Sequence, residues 1–181
     1  IFDHVAVPAA HILDQTPLTE LPAPDYLGAY YQQFHNTALA GIAQAVLRDA
    51  LEFVRPRTRL FGVPGKVIQR DETVVRGVVG RLSTLAFSTA ALVDTVSDAL
   101  AAAEPFWEKG ETRHPAIETA QEIAFKAQQI IVEQTLEAAT LLFEVGGASA
   151  TSETRRYDRH WRNARVLASH NPAAQRQREL G

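Results

Sequence analysis

The 181-residue chain has no cysteine and no methionine, and only three lysines and two tryptophans. Without cysteine there is no disulfide framework, no thiolate metal site and no catalytic thiol. A reducing compartment is the simpler reading, beside the alternative that the absence carries no message. No apolar run approaches the roughly 20 residues a membrane span requires, and no basic-then-apolar leader opens the chain. The sequence therefore reads as cytoplasmic, with no membrane partner. The lack of methionine and the start "IFDHVAVPAAHIL" together predict a piece of a longer protein, a mature processed chain being the alternative. A net charge of −3 leaves no footprint for nucleic acid over the whole chain.

An apolar fraction of 46% is enough for one continuous core. Phe2, Val5 and Val7 alternate before Pro8, the pattern of a β-strand entering a turn. A lone strand cannot satisfy its backbone, so its partners are expected elsewhere. "DQTPLTELPAP" carries three prolines and reads as a linker. Asp25 then caps a predicted helix whose apolar face uses Tyr30, Phe34, Ala38, Ile42, Val46 and Leu47, ending before Pro56. A second long helix, capped by Asp71 and marked by Val74, Val75, Val78, Leu82, Leu85, Val93, Val96 and Leu100, is broken by "AEPFWEKGETRHP". A third begins after Pro115 and stops at Gly146-Gly147, and shorter helical stretches follow over Arg155–Ala168 and Pro172–Leu180. The expected architecture is all-α, an up-and-down four-helix bundle preceded by one residual β-strand. Residues 1–20 are assigned to the end of a β-domain with its linker, and 21–181 to the bundle.

No nucleotide-binding glycine fingerprint, zinc motif or serine elbow is present. The polar content gathers near the end. Arg155 to Arg178 holds seven arginines against one carboxylate, Asp158. Both an anion site and a general preference for arginine over lysine explain that run. In "DRHWRNARVLASHNP", His160 and Trp161 read as packing residues, whereas His170 precedes a proline break where a side chain can face a cleft. His160 and His170 are not at metal-ligand spacing, so no metal is expected.

Four stretches in this order, "FDHVAVP", "EFVRPRTRLFG", "LLFEVGGASAT" and "RHWRNARVLASHNP", resemble the C-terminal half of the acyl-CoA dehydrogenase superfamily over essentially the whole chain. Dehydrogenases of that superfamily need a carboxylate base. Here the two positions where members carry it hold His170 and, near Ala40-Gly41, His35. An imidazole is a poor base for a weakly acidic carbon-bound proton. The resemblance is therefore nearest to the reduced-flavin-dependent monooxygenases of that fold, including dibenzothiophene and sulfone monooxygenases and two-component aromatic hydroxylases.

That resemblance implies reduced FMN supplied by a separate flavin reductase, with FAD as the alternative, and O2 used to oxygenate a small aromatic or sulfur-containing substrate. It implies His170 as the catalytic residue, with His35 and Asn171 in the substrate pocket. Arg57, Arg59 and Phe61, together with Gly146, Gly147, Ala148 and Ser149, are implied as flavin contacts. The arginine segment of the family reaches the flavin of a neighbouring subunit, which implies a homodimer or homotetramer. Two other readings stand beside this one: an acyl-CoA dehydrogenase-like FAD oxidoreductase with an unusual base, and a helical assembly domain without chemistry.

Overall fold

The computed structural model describes residues 3–12, 24–60 and 62–181. Among the described residues, five α-helices carry the fold: α1 (Pro24–Val54), α2 (Thr73–Glu108), α3 (Pro115–Gly146), α4 (Asp158–His170) and α5 (Ala173–Leu180). Helix α3 packs against each of the other four, and α1 also packs against α2 and α4. The long antiparallel helices α1, α2 and α3 form three sides of the all-α bundle, and α4 with α5 closes it.

Residues 3–12 contain no strand. Val5 and Val7 are exposed and a 3-10 turn forms at Ala9–His11. A strand needs a partner for its N–H and C=O groups, and among the described residues no other strand is present to supply one. Phe2 and residues 14–23 of the expected linker lie outside the described residues, as does the boundary between the two assigned domains, while Pro24, the linker's last residue, already begins α1.

The expected stripe of α1 holds toward its C-terminal end, where Val46 is buried and Ile42 and Leu47 pack on the core, and fails in the first turns. Tyr30 and Phe34 are 57% and 70% exposed, while Ala29, Gln32, Asn36, Leu39, Ala43 and Val46 are buried. In the first turns the stripe escapes an apolar-periodicity reading because alanines and amides fill it. The helix also begins at Pro24, so Asp25 lies within its first turn rather than at the cap.

Helix α2 differs at both ends. Its cap is Glu72, whose carboxylate accepts from the amides of Val74 at 2.7 Å and Val75 at 3.1 Å; Asp71 belongs to the preceding 3-10 turn, Gln69–Asp71. At the far end the helix runs through Pro105 to Glu108 instead of breaking before it. A proline this near a helix end forfeits one backbone hydrogen bond. The extra turn in exchange stacks Trp107 on Tyr26, with centroids 4.9 Å apart. Burial there pushes the Tyr26 phenol up, and the carboxylates of Glu104 and Glu108 with the Tyr30 phenol add to it. By length and composition α2 is apolar enough to cross a membrane, with an 18-residue window of mean hydropathy 1.3. In the bundle, Val75, Leu82, Leu85, Val96 and Leu100 form its buried stripe, and Val74 points outward.

Helix α3 has the expected ends. Pro115 opens it, His114 Nδ1 accepts the Ala116 amide at 3.2 Å, and Gly147 terminates it at φ +53°. The apolar core falls into two clusters, and Ile42 of α1 packs against both.

Candidate functional site

Helix α4 ends at His170, and the α4–α5 turn brings that residue to the outer face of α1. The His170 and His35 rings are stacked, with centroids 4.8 Å apart and planes 30° from parallel. Helical periodicity on α1 lines up exposed aromatics beside them: Phe34 meets His35 edge-on at 5.8 Å, and Tyr30 and Tyr31 are exposed one turn earlier. His35 Nδ1 donates to the Tyr31 carbonyl at 2.9 Å, because a carbonyl can only accept. His170 Nδ1 lies 3.4 Å from the Asn171 side-chain oxygen. Both contacts place the ring proton on Nδ1. Among the described residues no protein group engages either Nε2, and both rings lie on an aromatic face open to solvent.

A ladder of amides fixes the turn that carries His170. Asn171 donates its side-chain N–H to Gln32 Oε1 at 3.2 Å, and its backbone carbonyl accepts from Gln128 Nε2 at 2.7 Å. Gln32 in turn donates to Asn36 at 3.1 Å, and Asn36 to the Ala124 carbonyl at 3.2 Å. Gln32, Asn36 and Gln128 are buried. These amides lock α1, α3 and the turn in one register, although the buried Gln128 Oε1 has no hydrogen-bond partner among the described residues. Sequence reasoning missed all three. The available signal was polar residues at core-facing spacing, i and i+4, on a helix that is otherwise rich in alanine.

A second constellation lies where α1 and α3 end. Arg57 Nη2 donates to Ser149 Oγ at 3.3 Å. Its guanidinium sits 4.4 Å from the Phe53 ring centroid, and Arg155, the first residue of the arginine-rich run, sits 4.8 Å from the same ring. Gly146 and Gly147 have different roles. A Cβ on Gly146 would lie 2.7 Å from Ala150 Cβ and 2.8 Å from Phe53 Cζ, so this glycine serves internal packing. Gly147 faces open space at a positive φ, and Ala148 and Ser149 beside it are exposed. Arg59 is exposed, and Phe61 lies outside the described residues. Two guanidinium groups and a hydroxyl beside open backbone are a donor set that suits a phosphate.

The two constellations are far apart. His35 and Phe53 lie on one straight helix, about 27 Å apart at 1.5 Å rise per residue. That distance is longer than an FMN molecule.

Elsewhere in the arginine-rich stretch, Arg159 and His160 have a structural role. His160, 4% exposed, and Arg159 both donate to Asp49 Oδ2, at 2.7 and 2.6 Å, tying α4 to α1. Trp161 is 45% exposed and does not anchor the segment, and Arg162 pairs within its own helix with Asp158 at 3.1 Å. Arg159 is the arginine that anchors the segment to α1. Among the described residues no three His, Asp or Glu side chains gather as a metal set.

A helical bundle with these features defines the class. Residues 34–175 match the family described as acyl-CoA dehydrogenase, C-terminal domain, and the chain belongs to that family. It is 28% identical over 158 residues to dibenzothiophene monooxygenase of Mycolicibacterium goodii, covering 85% of this chain and 37% of that protein. Over 46 residues it is 50% identical to a probable FMNH2-dependent monooxygenase, SfnC of Pseudomonas putida, covering 25% of this chain and 12% of that one. The solved structure of methanesulfinate monooxygenase MsuC from Pseudomonas fluorescens aligns with a TM-score of 0.77 at 26% identity, covering 89% of this chain and 42% of that one. The chain thus spans less than half the length of these relatives.

Proposed function

We propose that the chain is the helical C-terminal part of a flavin-dependent monooxygenase that oxygenates a small aromatic or sulfur-containing substrate in the cytoplasm. In this reading it uses O2 and reduced FMN delivered by a separate reductase. The observation that carries the reading is the His35–His170 pair. Two imidazoles stack there, at the two sequence positions where the family resemblance puts a dehydrogenase's glutamate. The names of the relatives agree with it. When bound, reduced flavin would supply the electrons that activate O2.

The chain's own residues would do the following. His170 Nε2 would hold or release a proton at the reacting face, and His35 would stack behind it and limit its rotation. Tyr31 and Phe34 would offer flat apolar surface to an aromatic substrate and exclude water. Asn171, held by Gln32 and Gln128, would position the His170 backbone. Arg57, Ser149 and Arg155 would hold the phosphate of a flavin seated mainly on another copy, because one FMN does not reach both constellations. A homodimer or homotetramer follows, and the partly apolar outer face of α2, with Phe87 and Val74 exposed, is where a second copy would pack.

The test is His170→Ala in the complete enzyme, with product formed per reduced FMN consumed and hydrogen peroxide followed as the uncoupled by-product. Removal of a positioned acid or base lowers the rate by about 10² to 10⁴. The expected outcome is retained fold and flavin affinity with most electrons diverted to peroxide. Wild-type coupling in the variant would sink the assignment.

A further inference from the structure

We propose that the cleft between the C-terminal end of α1 and the N-terminal end of α2 binds a small organic anion, a carboxylate or sulfonate carried on an aromatic or alkyl body. The cleft uses none of the residues assigned above to flavin or substrate. It encloses about 490 Å³, within the range of small-molecule sites. Its floor is apolar, formed by Leu51 and Val54 of α1 with Val75 and Val79 of α2, and its rim carries Arg55, Arg70 and Arg76.

Two features favour an anion over a neutral apolar guest. First, the lining holds three guanidinium groups and no carboxylate. The acids nearby are engaged or weakly placed. Glu72 is spent on the amides of Val74 and Val75, and Asp71 reaches Arg70 only at 4.0 Å, with both side chains mostly exposed. Glu52 lies in the adjoining groove with Arg48 and Arg55. Among the described residues neither Arg55 nor Arg76 has a carboxylate within 4.0 Å. Second, guanidinium forks match the planar oxygen pairs of carboxylates and sulfonates, while their stems extend the apolar wall. Gly80 keeps the cleft open, since a Cβ built there meets nothing within 4 Å.

The experiment is a calorimetric titration of the 181-residue chain with naphthalenesulfonate, alongside naphthalenemethanol as the neutral counterpart and inorganic sulfate as the anion without a body. Saturable one-to-one binding of the sulfonate is expected, at least about tenfold tighter than either control, as loss of a charge-assisted hydrogen bond implies. Arg55→Ala and Arg76→Ala each weaken it about tenfold or more by the same reasoning. Gly80→Leu, which exchanges a helical glycine for a better helix former, fills the cleft and abolishes binding while the fold is kept. Equal affinity for the alcohol, or unchanged binding in Gly80→Leu, would overturn the proposal. Sulfonate binding absent from a dimeric chain that Arg76→Ala renders monomeric would overturn it too, because the cleft would then receive an acidic side chain of a second copy.

Discussion

Asp49 is the residue on which α4 depends. Its Oδ2 accepts from both Arg159 and His160, with the histidine buried and the arginine partly exposed. Asp49→Ala would leave a buried imidazole and a guanidinium without their acceptor. Breaking a buried pair costs about 3–5 kcal/mol, less where one partner is solvated, so a loss of about 2–3 kcal/mol is expected. Urea unfolding measures it, and a change under about 0.5 kcal/mol, the range of ordinary surface substitutions, would show that the contact contributes nothing. The histidine was legible in sequence as a packing residue, but its partner was not, since the two lie on different helices and no local spacing links them. The reverse holds for Gly146 and Gly147. Their place at a helix end was plain, yet only coordinates separate the glycine that admits Phe53 from the one that faces outward.

At the scale of the helix, α1 presents two faces with different work. Leu39 is almost fully buried, whereas Phe34, five positions earlier, is mostly exposed. Leu39→Ala is expected to cost about 2–5 kcal/mol, and Phe34→Ala to leave stability within about 0.5 kcal/mol. Thermal unfolding of the two variants compares them directly. Equal losses would mean that the stripe is assigned to the wrong side. Periodicity of large apolar residues finds the existence, length and ends of α1 and α3, because those depend on run length, proline and glycine. It misplaces the first turns of α1, where Tyr30 and Phe34 signal a core face while Gln32 and Asn36 conceal the real one, and is right farther along at Ile42, Val46 and Leu47. It also cuts α2 short at Pro105, since the Tyr26–Trp107 stack that retains the last turn is a tertiary contact.

For the whole molecule, the separation of the two constellations governs what the chain can do alone. The imidazole face and the Arg57–Ser149 corner are both open and about 27 Å apart along α1. In the proposed reading, an isolated chain would offer flavin only one partial wall at each place. Titration of the monomer with FMN should give weak binding, well above micromolar Kd, and submicromolar affinity would mean that one chain holds a complete pocket. The four stretches that carry the family resemblance were all legible in sequence, but not which of them meet: Arg57 of the second contacts Ser149 of the third, and the length of α1 keeps both from His170 of the fourth.

The central claim is that one copy's histidines and another copy's arginine corner serve the same flavin. It is tested by mixing two inactive forms of the complete enzyme, His170→Ala and Arg57→Ala, and measuring product per reduced FMN. In a two-fold assembly each mixed pair rebuilds one intact site and one doubly defective site, so random reassortment should restore about a quarter of wild-type activity. A mixture no more active than its two components would contradict the account, because the histidine and the arginine would then be required in the same chain or not jointly at all.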